Sequence, residues 1–346
     1  MKILVSTTFL PFHQDYGSLL ADRLAQALAA QGHDVDTIKI PFRPNRTEMA
    51  AQTLMLRLLD VDADVSDLLI TLRFPSYALH HRHKIVWLLD QYHPAYTLTL
   101  PRRIPETSEG RQFQQDLIKS DSLFLHEARA VYAMSQCGAA RLQQFNQVSS
   151  KEVLYPPLLL ADTMPQGDLG DYLLVPHQIA PYKRQMLLLD ALNHAHTDIR
   201  LVILGDPLDS NYLAEMQACI VEYDLTDRVR VIMETTREKT SDLFAHAYAI
   251  ISIAQDEDYP AGTIHAFGAK KPVITCNDSG APNEFVHQDQ TGLSVAPEAE
   301  ALADAICRLT SDHQFARTLG SNAYDFLNVQ LMSWDTVAAK LVGTAP

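Results

Sequence analysis

QDEDYPAGTIHAFGAKKPVITCNDSGAPNE, Gln255 to Glu284, decides how the rest of this chain is read. Just before it, Tyr248 to Ala254 reads as a short buried strand. An acidic loop follows from Asp256 to Gly262, then a helix of about two turns from Thr263 to Ala269. Lys270, Lys271 and Pro272 end that helix, because proline cannot continue it. Val273 to Thr275 is the next strand, and Gly280 to Glu284 turns out of it. A loop of small residues opening a helix at a strand's carboxyl end points free N–H groups at whatever binds there. That is an anion site suited to phosphate, with Ala261, Gly262 and Thr263 offering backbone N–H groups.

Outward from this stretch, strands and helices alternate. Ile3 to Ser6 is a strand, followed by a loop with Asp15, Tyr16, Gly17 and Ser18. A helix then runs from about Leu19 to Gln31, with Leu20, Leu24, Leu28 and Ala29 on one face. Val35 to Ile40 alternates as a second strand, completing a Rossmann-like unit that lacks GxGxxG and so indicates no bound dinucleotide. Met49 to Leu59 reads as a helix; Leu68 to Leu72, Lys84 to Leu89 and Ala130 to Ser135 read as strands. Lys151 to Leu160, KEVLYPPLLL, is a strand entering a proline-stiffened connection.

The second half repeats the pattern with strands at Tyr172–Val175, Leu201–Leu204, Val229–Met233 and Ala249–Ile253. Helices are expected near Gln185–Ala195, Tyr212–Tyr223, Ser241–Ala247, Glu300–Leu309, Gln314–Val329 and Trp334–Leu341. The fold class is α/β, two Rossmann-like doubly wound domains facing a cleft. Residues 1–157 form the first domain and 158–330 the second. Residues 331–346 hold a final helix beyond the second sheet that packs back on the N-terminal domain.

The 346 residues suffice for two cores, and 47% hydrophobic with 20% charged residues is a soluble globular composition. A formal net charge of −14 argues against a nucleic-acid partner. The four cysteines, Cys137, Cys219, Cys276 and Cys307, show no CxxC or metal spacing and read as reduced structural thiols. The N-terminus is too short in apolar length for a signal peptide, and no run approaches the roughly 18 apolar residues of a membrane span. The expectation is a cytoplasmic protein, or one in peripheral contact with the inner membrane face.

The stretch from Glu257 to Glu284 resembles the donor-binding signature of the family-4 glycosyltransferases, in which two Glu residues bracket seven others. Glu257 is the first of these, His265 holds the position of the second, and the match continues through Lys271-Pro272-Val273-Ile274 and Gly280 to Glu284. Tyr132–Ser135 with Arg141-Leu142, Leu154–Pro157, Ile179–Arg184, and Thr291–Val295 with Leu302-Ala303 and Ile306 agree in order over nearly the whole chain. The resemblance implies a GT-B protein that moves a sugar from a nucleotide-diphosphate donor, retaining and metal-independent, with no other cofactor. It places the donor on the second domain, and a sugar, lipid-linked or small-molecule acceptor on the first. Synthesis of a glycan, polysaccharide or glycolipid would be its setting.

Three positions depart from the family pattern. Gln178 stands where an Arg is usual, Asp90 where a His is usual, and His265 where a Glu is usual. Gln178 offers a neutral hydrogen bond where a forked cation would meet diphosphate. These changes leave open a catalytically weak relative that binds nucleotide or a protein partner; a sugar-nucleotide epimerase is a third reading.

On the resemblance, Lys183 binds the donor phosphates; read by itself it is a solvated surface lysine. Glu257 meets sugar hydroxyls or positive charge at the anomeric carbon, or is an ordinary acidic loop residue. Asp90 accepts hydroxyl hydrogen bonds or stabilises an oxocarbenium ion, and His265 hydrogen-bonds ribose. Gly17 lets backbone approach the diphosphate or sugar, or merely starts a helix. Glu284 binds nucleotide or caps its turn. Asp256-Glu257-Asp258 contains a DxD, which in this context does not read as a metal site. His80-His81-Arg82-His83-Lys84 reads as a solvated basic patch near an anionic acceptor or a membrane surface, lacking chelating spacing. Asp60 to Asp64 lacks the glycine and terminal Glu of a calcium loop and reads as an acidic turn.

Overall fold

The computed structural model describes residues 1–346 except 13–15, 60, 62–64, 97–103, 105–106, 161–163 and 344–346. Asp15, and Asp60, Asp62 and Asp64 of the acidic turn, lie outside the described residues. The chain divides into two units, Met1–Leu159 with Leu331–Pro346, and Leu160–Gln330.

The first unit runs β1 (Lys2–Phe9), α1 (Tyr16–Ala30), β2 (Asp34–Pro41), α2 (Met49–Arg57), β3 (Leu68–Arg73), β4 (Lys84–Asp90), α3 (His93–Tyr96), α4 (Ser108–His126), β5 (Ala130–Ala133) and α5 (Gln136–Arg141). Its five strands are parallel in the order β2-β1-β3-β4-β5. Apolar runs such as Leu68 to Leu72 are what a parallel sheet covered on both faces demands. The helix Trp334–Val342 belongs to this unit. Trp334 donates its indole N–H to the Leu158 carbonyl (3.2 Å) and meets Trp87 edge to face, and Gln31 donates to the Asp335 carbonyl.

Three stretches of this unit differ from the sequence reading. α1 begins at Tyr16, so Gly17 is buried in its first turn and not in a preceding loop. The 19-residue α4 is unassigned in the sequence reading: Asp121 lies buried on the same face as Leu117, Phe124 and Leu125, which blurs the apolar period. Lys151–Leu160 forms no full strand; Val153 makes an isolated parallel bridge with Ala133.

The second unit runs β6 (Tyr172–Val175), α6 (Gln185–His194), β7 (Arg200–Leu204), α7 (Ser210–Glu222), β8 (Val229–Ile232), α8 (Arg237–Ala245), β9 (Ala249–Ser252), α9 (Ala261–Gly268), β10 (Val273–Cys276), β11 (Gly292–Val295), α10 (Ala299–Ser311) and α11 (His313–Gln330); the chain's last helix, Trp334–Val342, is α12. Its six strands are parallel in the order β11-β10-β9-β6-β7-β8. The chain builds outward from β6 to β8, then returns to lay β9 on the other side of β6. The boundary between β6 and β9 is therefore the point where strand order reverses, and the carboxyl ends there are where open α/β sheets bind ligands.

Candidate functional site

β6 and β9 each deliver one charged side chain to that edge. β6 runs into Pro176, His177 and Gln178, then into the single helical turn Pro181–Lys183. β9 runs into the acidic loop that carries Glu257. The Lys183 ammonium, only 7% exposed, donates to Glu257 Oε2 at 2.5 Å. A buried lysine needs a counter-charge or hydrogen-bond acceptors to offset its lost hydration, and the Glu257 carboxylate supplies both here. The solvated reading of Lys183 does not hold.

The two loops are stitched together by backbone. Gln255 donates its N–H to the Tyr182 carbonyl (2.8 Å), and Arg184 grips Asp278 with both arms (2.6 and 2.5 Å). Glu257 is fixed on its other side: its N–H donates to the Ser279 carbonyl and its own carbonyl accepts from Ala281. Gly280 permits this, having φ +77°; a Cβ there would lie 2.7 Å from the Glu257 carbonyl oxygen. Gly205 answers a similar need, because a Cβ would stand 2.4 Å from the His177 carbonyl oxygen.

His177 joins the cluster and escapes the sequence reading. Its Nε2 lies 3.4 Å from Ser252 Oγ, and its ring packs beside the position a Gly262 Cβ would take. Burial, reinforced by the Lys183 charge and partly offset by Glu257, pushes its pKa down to about 4. The ring is therefore neutral at neutral pH. A histidine two residues beyond an apolar strand was the available signal, unused because nothing local marks it. Gln178, next in the chain, accepts on its carbonyl from the Gln185 side chain (2.9 Å).

α9 begins at Ala261, two residues earlier than the sequence suggests, and is buried on every side. The Ala261 N–H donates to the Tyr259 carbonyl (2.9 Å). Gly262 and Thr263 follow at the next first-turn positions, whose N–H groups have no intrahelical acceptor. The Thr263 side chain is fully buried, and among the described residues its hydroxyl has no hydrogen-bond partner.

His265 is fully buried, and its Nε2 accepts from the Leu160 N–H at 3.3 Å, with the ring against Phe244. Burial pushes its pKa down to about 4. An imidazole so placed ties α9 to the start of its own unit; a ribose-contacting role does not fit zero exposure. Lys271 is likewise buried and donates to the carbonyls of Gly167 (2.8 Å) and Asp168 (2.7 Å), a structural pin. Glu284 ends the helical turn Ala281–Glu284, partly exposed.

Gly17 and Asp90 belong to the first unit. Asp90 closes β4 opposite Arg73, the last residue of β3, and the two form a forked pair (3.2 and 2.6 Å). The carboxylate thus reaches the strand edge with its charge largely answered. Arg73 carries no signal in the sequence beyond ending its strand, and the register pairs them.

The His80–Lys84 segment is not a solvated basic patch. Lys84 is fully buried, donating to the Tyr77 and Leu79 carbonyls and to Glu127, while His81 is buried 3.2 Å from Ser66 Oγ. Strand β4 begins at Lys84 and carries it into the core, so the charge needs Glu127. His80 and Arg82 remain exposed. Among the described residues no three His, Cys, Asp or Glu side chains come together as a metal site, and no helix is long and apolar enough to cross a membrane.

Comparison with known proteins adds four likenesses. Residues 168–326 match the model of the family described as glycosyl transferases group 1. Half of this chain is 26% identical over 183 residues to an exopolysaccharide phosphotransferase of Streptomyces coelicolor; the match spans 19% of that relative's length. Among solved structures, sucrose-phosphate synthase of Thermosynechococcus elongatus superposes with a TM-score of 0.79 at 17% identity, covering 99% of this chain and 97% of that one. Anabaena HepE, solved with UDP and glucose, gives a TM-score of 0.73 at 16% identity, covering 99% of both chains. At such identities the structural likenesses speak for the fold, and they agree with the two parallel sheets described above. Residues 168–326, less than half of the chain, are thus similar to the group 1 glycosyl transferases, and the chain has the GT-B fold.

Proposed function

We propose that this protein transfers a sugar from a nucleotide-diphosphate donor to a hydroxyl-bearing acceptor, with the donor held by the unit Leu160–Gln330 and the acceptor by the other. The observation that carries this reading is the Lys183–Glu257 pair on the two strands flanking the reversal of strand order. Support comes from the group 1 match over the same residues and from the UDP and glucose bound by HepE.

In this account the diphosphate takes the place of Glu257 as partner to the Lys183 ammonium. As the bond from the anomeric carbon to the diphosphate oxygen breaks, negative charge grows on the leaving group, and a preorganised buried cation offsets it. Glu257, released from Lys183, faces the sugar, where it accepts from hydroxyls and offsets positive charge at the anomeric carbon. The acceptor oxygen forms the new bond to the anomeric carbon, and its proton passes to the departing diphosphate oxygen, where the negative charge builds. The first-turn N–H groups of Gly262 and Thr263 add donors toward the phosphates. The transfer retains anomeric configuration and needs no metal, since Lys183 answers the leaving charge. Peripheral work on glycan or glycolipid acceptors is the setting we favour.

Turnover with UDP-, GDP-, ADP- and TDP-sugars tests the reading. Sugar transfer or donor hydrolysis, abolished in Glu257→Ala and Lys183→Ala, is expected. Nucleotide binding without turnover under any donor and acceptor pair would overturn the enzymatic part.

A further inference from the structure

The first unit carries a second basic feature on its own strand edge. β2 ends at Pro41 and β4 at Asp90; parallel strands put both carboxyl ends on one side of the sheet. A pocket of about 520 Å³ opens there, lined by Arg43, Pro44, Asn45, Arg46, Glu48 and Tyr92. That volume lies in the range of small-molecule sites.

The lining is exposed from Arg43 to Glu48 and half-buried at Tyr92, and local hydrogen bonds order its turn. The Asn45 side chain accepts from the Thr47 N–H and hydroxyl, and its carbonyl accepts from Glu48 and Met49, so the turn bearing Arg46 leads straight into α2. Pro44 stiffens the link between the two arginines. Tyr92 is held by Phe74 (ring centroids 5.9 Å) and Phe113 (6.5 Å), and Phe74 in turn by Phe42 (5.6 Å). Burial pushes the Tyr92 hydroxyl up while the Arg46 charge acts against it, which puts the guanidinium within electrostatic reach of the phenol.

Among the described residues neither Arg43 nor Arg46 has an ion-pair partner, although the chain carries 42 acidic against 28 basic residues. Glu48, the one carboxylate among the residues lining this pocket, accepts from Gln52. The fork geometry of guanidinium matches phosphate, and an aromatic ring beside it offers a face for an apolar or sugar portion.

We infer that this pocket binds a phosphate group carried by the acceptor, gripped by Arg43 and Arg46 with the adjoining part of the molecule against Tyr92. The inference rests on the transfer reading for the word acceptor; the anion pocket itself stands on the first unit's residues. The phosphate belongs either to a soluble phosphorylated molecule or to a lipid headgroup.

The test uses full-length Lys183→Ala, so that the donor-side cation cannot contribute. Inorganic phosphate is titrated into it with and without Arg43→Gln and Arg46→Gln, the unfolding midpoint serving as the check on folding. Saturable binding that weakens on the order of tenfold or more when both arginines are replaced is expected. No phosphate binding, or equal binding without the arginines, overturns the proposal. Co-sedimentation of the otherwise wild-type chain with phosphatidylinositol-containing vesicles, lost in the double variant and absent with phosphatidylcholine alone, assigns the phosphate to a lipid. Phosphate binding without vesicle binding assigns it to a soluble molecule. Vesicle binding that survives the double variant contradicts the pocket as the lipid contact. If no nucleotide binds wild type while arginine-dependent phosphate binding persists, the donor reading fails and the pocket remains.

Discussion

The Lys183 ammonium and the Glu257 carboxylate, 74 residues apart in sequence, meet at 2.5 Å between the ends of two neighbouring parallel strands. With the lysine side chain 8% and the glutamate 22% exposed, the pair is substantially desolvated. Each member offsets the other's charge.

Replacing the two residues should therefore have separable effects. Lys183→Ala is expected to weaken nucleotide-diphosphate binding on the order of tenfold or more, by removing a charge-assisted contact. Glu257→Gln should leave nucleotide affinity nearly intact and lower kcat on the order of a hundredfold. Parallel titration and steady-state kinetics separate them; a Glu257→Gln protein with unchanged kcat would remove Glu257 from the chemistry.

Gly280→Ala should damage the site without touching a charged group. The added Cβ meets the Glu257 backbone at 2.7 Å, in a conformation with φ +77°. A stability loss of about 2 kcal/mol is expected, together with reduced turnover as Glu257 is displaced. Thermal unfolding and kcat measured on one preparation check both.

Asp90 bears on stability. Its partnership with Arg73, with side chains 25% and 26% exposed, predicts a stability loss of about 1 kcal/mol in Asp90→Asn. An unchanged unfolding midpoint in that variant would mean that the pair contributes nothing measurable to the fold.

His265 makes stability depend on pH. Its folded pKa, about 4, lies below the ordinary 6.5, so the unfolded chain binds the extra proton between those values. The contribution is fully present above about pH 6.5 and is lost as pH falls toward 4, with His177 acting in the same direction. Unfolding midpoints measured from pH 7.5 to 4.5 should fall more steeply for wild type than for His265→Gln. Equal slopes would show that the imidazole is not held neutral by burial.

Much of the architecture was legible because apolar strand runs, turn residues and Pro272 mark element ends locally. The donor stretch in particular shows its strand, helix and second strand in order. Chain pairings were not legible. Nothing near Lys183 names Glu257, nothing near Asp90 names Arg73, and only parallel register brings either pair together. Lys84 misled the reading for the same reason: its counter-charge, Glu127, comes from the end of α4, a helix the sequence hides by burying Asp121 on its apolar face. His265 matched a signature position, yet burial decides what its ring can touch.

Calorimetric titration with UDP, GDP, ADP and TDP, and with their common sugar conjugates, tests the central claim most directly. The account predicts saturable binding of at least one nucleotide diphosphate to wild type, weakened on the order of tenfold or more in Lys183→Ala. Binding to none of them, or binding unchanged by loss of the Lys183 ammonium, would contradict the donor site proposed here.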